Sequence, residues 1–229
     1  MSPPPTPDQV LPRILFALTA VTGMVDGASY LALGHVFTAN MTGNVVLLGF
    51  AAAGASGLSV PRSGAALAAF AVGASAGRLA ARMADAPRHQ WTASALAIEA
   101  GLLWTSMAVA FAAGDDLAHH PAALYGTIVL TGLAMGMRYA TVLKLGVTEV
   151  NTSVLTGTIA MLASGRHPRS TRGAASVAMM FAGAAASAWL LRYSVALAFG
   201  VAGGISGACA WAAWFGLPRM APGNGSPRG

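Results

Sequence analysis

The chain has 229 residues, of which 55% are hydrophobic and only 9% are charged, and its formal net charge is +6. Soluble domains carry about 25% charged residues because water must solvate their surface, so this composition excludes a soluble enzyme and indicates a polytopic membrane protein. The basic residues stand singly at the ends of apolar runs, which is typical of membrane topology and argues against a nucleic-acid-binding face.

Six apolar stretches are each long enough to cross about 30 Å of hydrocarbon. In chain order these predicted spans are residues 11–34, 63–82, 91–113, 121–143, 173–191 and 194–216. The polar ends, residues 1–10 and 217–229, are rich in Pro and Gly and are predicted to be disordered tails. The sequence thus predicts an all-α protein with a single transmembrane domain over residues 11–216.

Two further apolar stretches, residues 40–57 and 151–165, are shorter, and each carries a Thr-Gly pair near its start. They are predicted to be half-length helices that enter the membrane and return, although eight plain spans are an alternative. Six crossings put most arginines and both termini on the cytoplasmic side, with Arg62 and Arg192 as exceptions. Because Arg far outnumbers Lys, a bacterial source and hence the inner membrane are expected.

The two short stretches also mark an internal repeat. Gly-Met, Leu-Gly and Thr-Gly pairs recur in the same order in residues 11–113 and in residues 121–216. With three crossings in each copy, the repeat is inverted in the membrane, which is typical of secondary transporters whose sites lie between broken helices. This predicts a site near the midplane, between the runs Thr42-Gly43-Asn44 and Thr156-Gly157-Thr158. The alternative is that Asn40, Thr42 and Thr156 only cap helices and that the two glycines are points where helices pack.

Charged residues inside predicted spans are functional candidates, because each costs about 2.5–3.5 kcal/mol to insert. Here they are Asp26, Glu99 and Arg138. In the repeat Arg138 is the predicted counterpart of Asp26, and the two are expected to face each other, either paired or bridged by substrate. Asp26 or Glu99 would carry a coupling proton. The alternatives are a helix cap for Asp26, packing for Glu99 and a snorkelling side chain for Arg138.

The sequence contains few features that indicate catalysis or cofactor binding. The sequence has no Gly-Lys-Ser/Thr phosphate loop and no nucleophile elbow, and the five histidines lack the spacing of a metal site. Cys209, the single cysteine, is expected to be a small core residue. We therefore expect no enzyme activity, no metal and no cofactor.

The residues around the first short stretch resemble a known bacterial family. An intramembrane Asp26 followed by Phe37 and the run Asn40-Met41-Thr42-Gly43-Asn44 is similar to the most distinctive stretch of the YoaK-like family, also called domain of unknown function 1275. Further similarities are Glu99, Gly136-Met137, Thr152 and Thr156-Gly157. The resemblance implies a multi-pass membrane protein without implying a substrate. This chain departs from the family at Arg138-Tyr139, where many relatives have Gln-Asn.

Together these features predict a secondary transporter of a small, anionic solute in the lipid bilayer. The predicted substrate-binding residues are Asp26, Asn40, Thr42, Gly43, Asn44, Arg138, Thr156, Gly157 and Thr158. The alternative is a non-transporting scaffold, sensor or accessory subunit. The oligomeric state stays open, a homo-oligomer included.

Overall fold

The computed structural model describes residues 7–83, 86–114, 117–145 and 170–217. This part of the chain is all-α, with seven α-helices and one short 3₁₀ turn at Leu117–His119. The helices are α1 (Pro7–Ala32), α2 (Met41–Ala52), α3 (Val60–Met83), α4 (Arg88–Ala113), α5 (Pro121–Lys144), α6 (Ser170–Leu190) and α7 (Val195–Gly216).

The six predicted spans are confirmed as helices: all except α2 are long and apolar enough to cross a membrane. Among these six helices, the largest difference at a boundary is at the N-terminus, where α1 begins at Pro7 although residues 1–10 were predicted to be a tail. Proline is well suited to the first helical position, since its fixed φ is helical and no N–H is needed there. Large apolar side chains such as Phe111, Phe181 and Trp211 are exposed on the outside, where lipid would cover them.

Helix α2 covers only part of the predicted short stretch 40–57. Its 12 residues are about 18 Å long at 1.5 Å per residue, well short of the hydrocarbon thickness. The segments before and after α2 lie close to each other: Arg62 Nη1, after α2, donates to the carbonyl of Gly34, before α2, over 3.5 Å. Gly34 has a φ of 84°, which a side chain would strain, and an added Cβ would overlap with Arg62. The second short stretch, 151–165, lies outside the described residues.

Helix directions follow from the order of side-chain contacts. Along α5, Gly132, Gly136 and Ala140 lie in turn against Ala69, Ala74 and Gly77 of α3, so these two helices run in the same direction. Along α4, Glu99, Trp104 and Met107 lie against Ser206, Gly203 and Gly200 of α7, so these two run in opposite directions. Val10 near the start of α1 touches Gly216 at the end of α7, so α1 runs opposite to α7. Helices α4 and α5 pack against each other and are joined only by residues 114–120, so they also run in opposite directions. It follows that α1 runs opposite to α3, and α3 begins at the end of the bundle where α1 ends.

Two tight interfaces, α1 against α6 and α3 against α5, share one contact pattern. A Cβ on Gly23 of α1 would overlap with the carbonyl of Met180 on α6, and one on Gly183 of α6 with the carbonyl of Ala20 on α1. Gly136 of α5 and Gly73 of α3 approach the carbonyls of Phe70 and Leu133 in the same reciprocal way. Backbones approach this closely only where side chains are small.

These contacts also set the register between the two interfaces. When the two interfaces are compared, Gly23 of α1 corresponds to Gly136 of α5, and Ala20 of α1 corresponds to Leu133 of α5. Counting on from the two glycines pairs Val25 with Arg138 and Asp26 with Tyr139. In this register Asp26 is one residue away from the position that corresponds to Arg138, which is within the shifts of one or two residues that the sequence comparison allowed.

Candidate functional site

A buried ion pair joins α5 to α4. Arg138 Nε donates to Glu99 Oε2 over 2.8 Å, and Arg138 Nη2 donates to Glu99 Oε1. The two side chains are 6% and 1% exposed, so the pair is almost completely removed from solvent. Bidentate contacts between a guanidinium and a carboxylate are among the strongest hydrogen-bonded pairs in proteins. The intramembrane charges that the sequence singled out thus meet, but in a different combination from the predicted one.

The remaining N–H groups of Arg138 bind polar atoms of α1 and α7. Nη1 donates to the carbonyl of Leu18 over 2.7 Å and to Thr22 Oγ1 over 2.9 Å. Nη2 also donates to Ser206 Oγ over 3.3 Å, and the Ser206 hydroxyl donates onward to Glu99 Oε1. A guanidinium has five N–H donors, and each of these five has an acceptor here. Arg138 consequently ties four helices together at one point.

Asp26 does not pair with Arg138, so the expected direct contact is not found. Asp26 Oδ1 instead accepts hydrogen bonds from two backbone N–H groups in the loop between α1 and α2, from Thr38 at 3.1 Å and from Ala39 at 2.8 Å. The side chain is 4% exposed, and its second oxygen, Oδ2, has no hydrogen-bond partner within the described part of the chain. Asp26 therefore anchors the loop that leads into the short helix.

The first Thr-Gly run is held by asparagines. Asn40 is the N-cap of α2, and its side-chain oxygen accepts from the Gly43 N–H over 3.3 Å. Asn44 is fully buried; its Oδ1 accepts from the Phe37 N–H over 3.3 Å and its Nδ2 donates to the Ser63 carbonyl over 3.2 Å. Thr42 is exposed. Several N–H groups before and within the first turn of α2 thus already bind side chains of the protein itself.

The predicted partner of this segment lies outside the described residues, namely Thr156, Gly157 and Thr158. A site between the two Thr-Gly runs therefore stays a prediction. Three groups that bind Arg138 were not predicted from the sequence. They are the side chains of Thr22 and Ser206 and the carbonyl of Leu18. A single Ser or Thr in an apolar helix, or a main-chain carbonyl, gives no signal of its own, because its partner is set only by helix packing.

Arg138, Glu99, Thr22 and Ser206 form one polar cluster between four helices, with one guanidinium and one carboxylate. No three His, Cys, Asp or Glu side chains come together in the ranges that the structure describes, so the donor set does not match a multidentate metal centre.

Comparison with known proteins places the chain in a family. The family described as "Protein of unknown function (DUF1275)" matches residues 14–212. The UPF0700 transmembrane protein YoaK of Bacillus subtilis (strain 168) is 37% identical over 152 residues, which make up 65% of this chain and 64% of that protein. The matched region is thus slightly less than two thirds of the relative's length. No solved structure gives a significant match. The chain belongs to the DUF1275 family, whose YoaK relative is likewise a transmembrane protein.

Proposed function

We propose that the protein is a secondary transporter that couples a proton to the movement of a small anionic solute, with Glu99 and Arg138 as the coupling pair. The observation that supports the proposal is the ion pair itself: the positive charge of Arg138 is balanced by a single carboxylate, that of Glu99. A proton on Glu99 would remove this balance. An anion can then take the place that the carboxylate leaves.

The coupling follows from charge balance. When Glu99 takes up a proton, Arg138 keeps its positive charge but loses its anionic partner, which is costly in a buried site. A carboxylate or similar anion restores the balance by binding the guanidinium fork. When the anion leaves on the other side, Glu99 releases its proton and pairs with Arg138 again. One proton and one monovalent anion would thus cross together without net charge.

The helix arrangement supports alternating access. The α1–α6 and α3–α5 interfaces have the same reciprocal glycine contacts, as expected for two inverted repeats that can exchange conformations. Arg138 and its partners lie where helices of both repeats meet: α1 and α4 belong to the first copy, α5 and α7 to the second. A rearrangement between the repeats would therefore change the contacts of the coupling pair.

The orientation in the membrane is part of the same proposal. Arg13 near the start of α1, Arg82 at the end of α3 and Lys144 at the end of α5 lie at one end of the bundle. Basic residues favour the cytoplasmic side, so this end and both termini are assigned to the cytoplasm of a bacterial inner membrane. The acidic residues Asp115 and Asp116, between α4 and α5, would then be on the outside.

A non-transporting scaffold or sensor is the second candidate. The observation in its favour is the same complete set of hydrogen bonds, because a fully satisfied ion pair can also serve as a permanent link between helices. The two candidates differ in what happens when Glu99 is neutralised: a transporter exposes an anion site, whereas a scaffold only loses stability.

Uptake in proteoliposomes tests the proposal. Purified protein is reconstituted, an acidic external buffer is applied, and uptake is followed for a panel of radiolabelled small anions that includes monocarboxylates, phosphate, sulfate and nitrate. At least one anion should accumulate only with the pH gradient. Arg138→Gln should abolish this uptake, while Gly101→Ala on α4, which has open space around it, should leave it intact. Uptake that survives in Arg138→Gln contradicts the proposed role.

A further inference from the structure

The nitrogen atoms of the Arg138 guanidinium bind different parts of the protein. Nη1 donates to α1, to the carbonyl of Leu18 and to Thr22 Oγ1. The edge formed by Nε and Nη2 instead binds the carboxylate of Glu99. A ligand that replaces this carboxylate and leaves the contacts with α1 in place would therefore bind only the Nε–Nη2 edge.

Ser206 of α7 adds a third donor beside this edge. Its side chain is fully buried, its oxygen accepts from Arg138 Nη2 over 3.3 Å, and its hydroxyl donates to Glu99 Oε1. Within the described residues, Oε2 thus accepts one hydrogen bond, from Nε, and Oε1 accepts two, from Nη2 and Ser206. Three donors in this arrangement match a planar group with two oxygens, which is a carboxylate.

Charge and shape disfavour a tetrahedral oxyanion at the same place. Arg138 is the only buried arginine or lysine in the part of the chain that the structure describes. A doubly charged anion such as sulfate would therefore bring one uncompensated negative charge into a buried site, which is costly. Sulfate and phosphate also have four oxygens, more than three donors can satisfy, and a buried oxygen without a donor is unfavourable.

The helix faces around the ion pair are apolar. On α4, Glu99 is one turn away from Leu96 on one side and from Leu103 on the other, and both leucines are buried. On α7, Ser206 is one turn away from Ala202, which is also buried. A charged or polar substituent of a ligand would lie against such side chains without a partner, which is costly. These surroundings favour a ligand whose only polar group is the carboxylate.

We infer that the anion is a small monocarboxylate with an apolar chain, such as acetate or propionate, and that Ser206 helps to select it. The inference rests on the proposed function, because Glu99 must be neutral before a ligand can bind the Nε–Nη2 edge of Arg138. The geometry behind it is the carboxylate of Glu99 itself, which the ligand replaces group for group. One oxygen of the ligand accepts from Nε, and the other accepts from Nη2 and from the hydroxyl of Ser206.

Equilibrium dialysis of ¹⁴C-labelled acetate against the purified full-length Glu99→Gln protein in detergent tests the inference. Glutamine is neutral, as protonated glutamate is, so acetate should bind saturably and unlabelled propionate should displace it. Sulfate and phosphate should need about ten times the concentration or more, because the site leaves part of their charge or oxygens unsatisfied. Adding Ser206→Ala should weaken acetate binding about tenfold, since one hydrogen bond to a charged oxygen is lost. Adding Ser106→Ala is the matched control and should not change binding, because this buried serine donates to the carbonyl of Leu102 on its own helix.

Different results would overturn the inference and the proposed function. If labelled sulfate or phosphate binds as tightly as acetate, or in its place, the monocarboxylate assignment is wrong, although an anion site on Arg138 would remain. Equal binding of acetate by Glu99→Gln and by the wild type at neutral pH would place acetate elsewhere and also overturn the assignment. If none of these anions binds saturably, both the inference and the proposed function are wrong.

A measurement on the wild type decides if Glu99→Gln does not fold, as judged by size-exclusion chromatography. In the proteoliposome uptake assay, excess unlabelled propionate should inhibit uptake of the labelled anion, and excess sulfate should not. Inhibition by sulfate without inhibition by propionate would overturn the inference.

Discussion

The guanidinium of Arg138 lies against the carboxylate of Glu99, and the same guanidinium reaches the carbonyl of Leu18. Through these contacts one side chain of α5 binds both α4 and α1. Removing one partner from a buried pair is more harmful than removing both, because the remaining charge is left without compensation. This asymmetry distinguishes a true ion pair from two independent polar residues.

Replacing Arg138 by Gln should destabilise the protein by about 3–5 kcal/mol, since the buried Glu99 charge loses its partner. The double variant Arg138→Gln/Glu99→Gln should recover much of this loss. Unfolding by SDS in mixed micelles measures the free energies, and the double-mutant cycle gives the coupling energy. Strictly additive effects of the two substitutions would show that the pair does not interact.

Gly136→Ala should lower the free energy of unfolding by about 1–3 kcal/mol, because the new methyl group overpacks the α3–α5 interface. Its Cβ would lie 2.7 Å from the backbone nitrogen of Ala74. Gly126→Ala on the same helix is the control: it has open space around it and should leave stability unchanged or raise it by up to about 1 kcal/mol. Equal effects of the two substitutions would be incompatible with the close helix contact.

Asn44→Ala should destabilise the protein by about 1–3 kcal/mol, because it leaves the Phe37 N–H and the Ser63 carbonyl without their side-chain partner. Val45→Ala, at a neighbouring exposed position of α2, is the control and should have a much smaller effect. Thermal unfolding in detergent compares the two. A loss of similar size in both variants would mean that Asn44 has no special role in holding α2.

The predicted return of the chain at α2 can be tested by cysteine labelling in a Cys209→Ser background, which removes the only native thiol. A cysteine at Ala55, in the loop after α2, should react with a membrane-impermeant maleimide added outside the cells. A cysteine at Ser2 should react only after the membrane is permeabilised. Labelling of both positions from the same side would instead favour eight crossings.

The spans could be predicted from the sequence because membrane insertion depends on length and hydropathy, which are local properties. The embedded charges Asp26, Glu99 and Arg138 could be found for the same reason: each is a costly exception within an apolar helix. Which of them pair could not be predicted. Arg138 is 39 residues from Glu99, and only the packing of α4 against α5 brings them together.

Asp26 illustrates a second limit of sequence reasoning. Its hydrogen-bond partners are main-chain N–H groups of Thr38 and Ala39, and any residue type except proline could supply them. The side-chain pattern therefore suggested Arg138, either paired directly or bridged by substrate, and the structure shows no direct pair. By contrast, the capping role of Asn40 was among the expected alternatives, since asparagine before a helix is a strong local signal.

The most direct test of the account is a comparison of two assays on Glu99→Gln in proteoliposomes, using the anion that the wild type accumulates. Without a carboxylate to protonate, Arg138 stays open to the anion, so exchange of internal for external anion should persist. Accumulation driven by a pH gradient should be lost. Gradient-driven accumulation at the wild-type level in Glu99→Gln would contradict proton coupling through the Glu99–Arg138 pair.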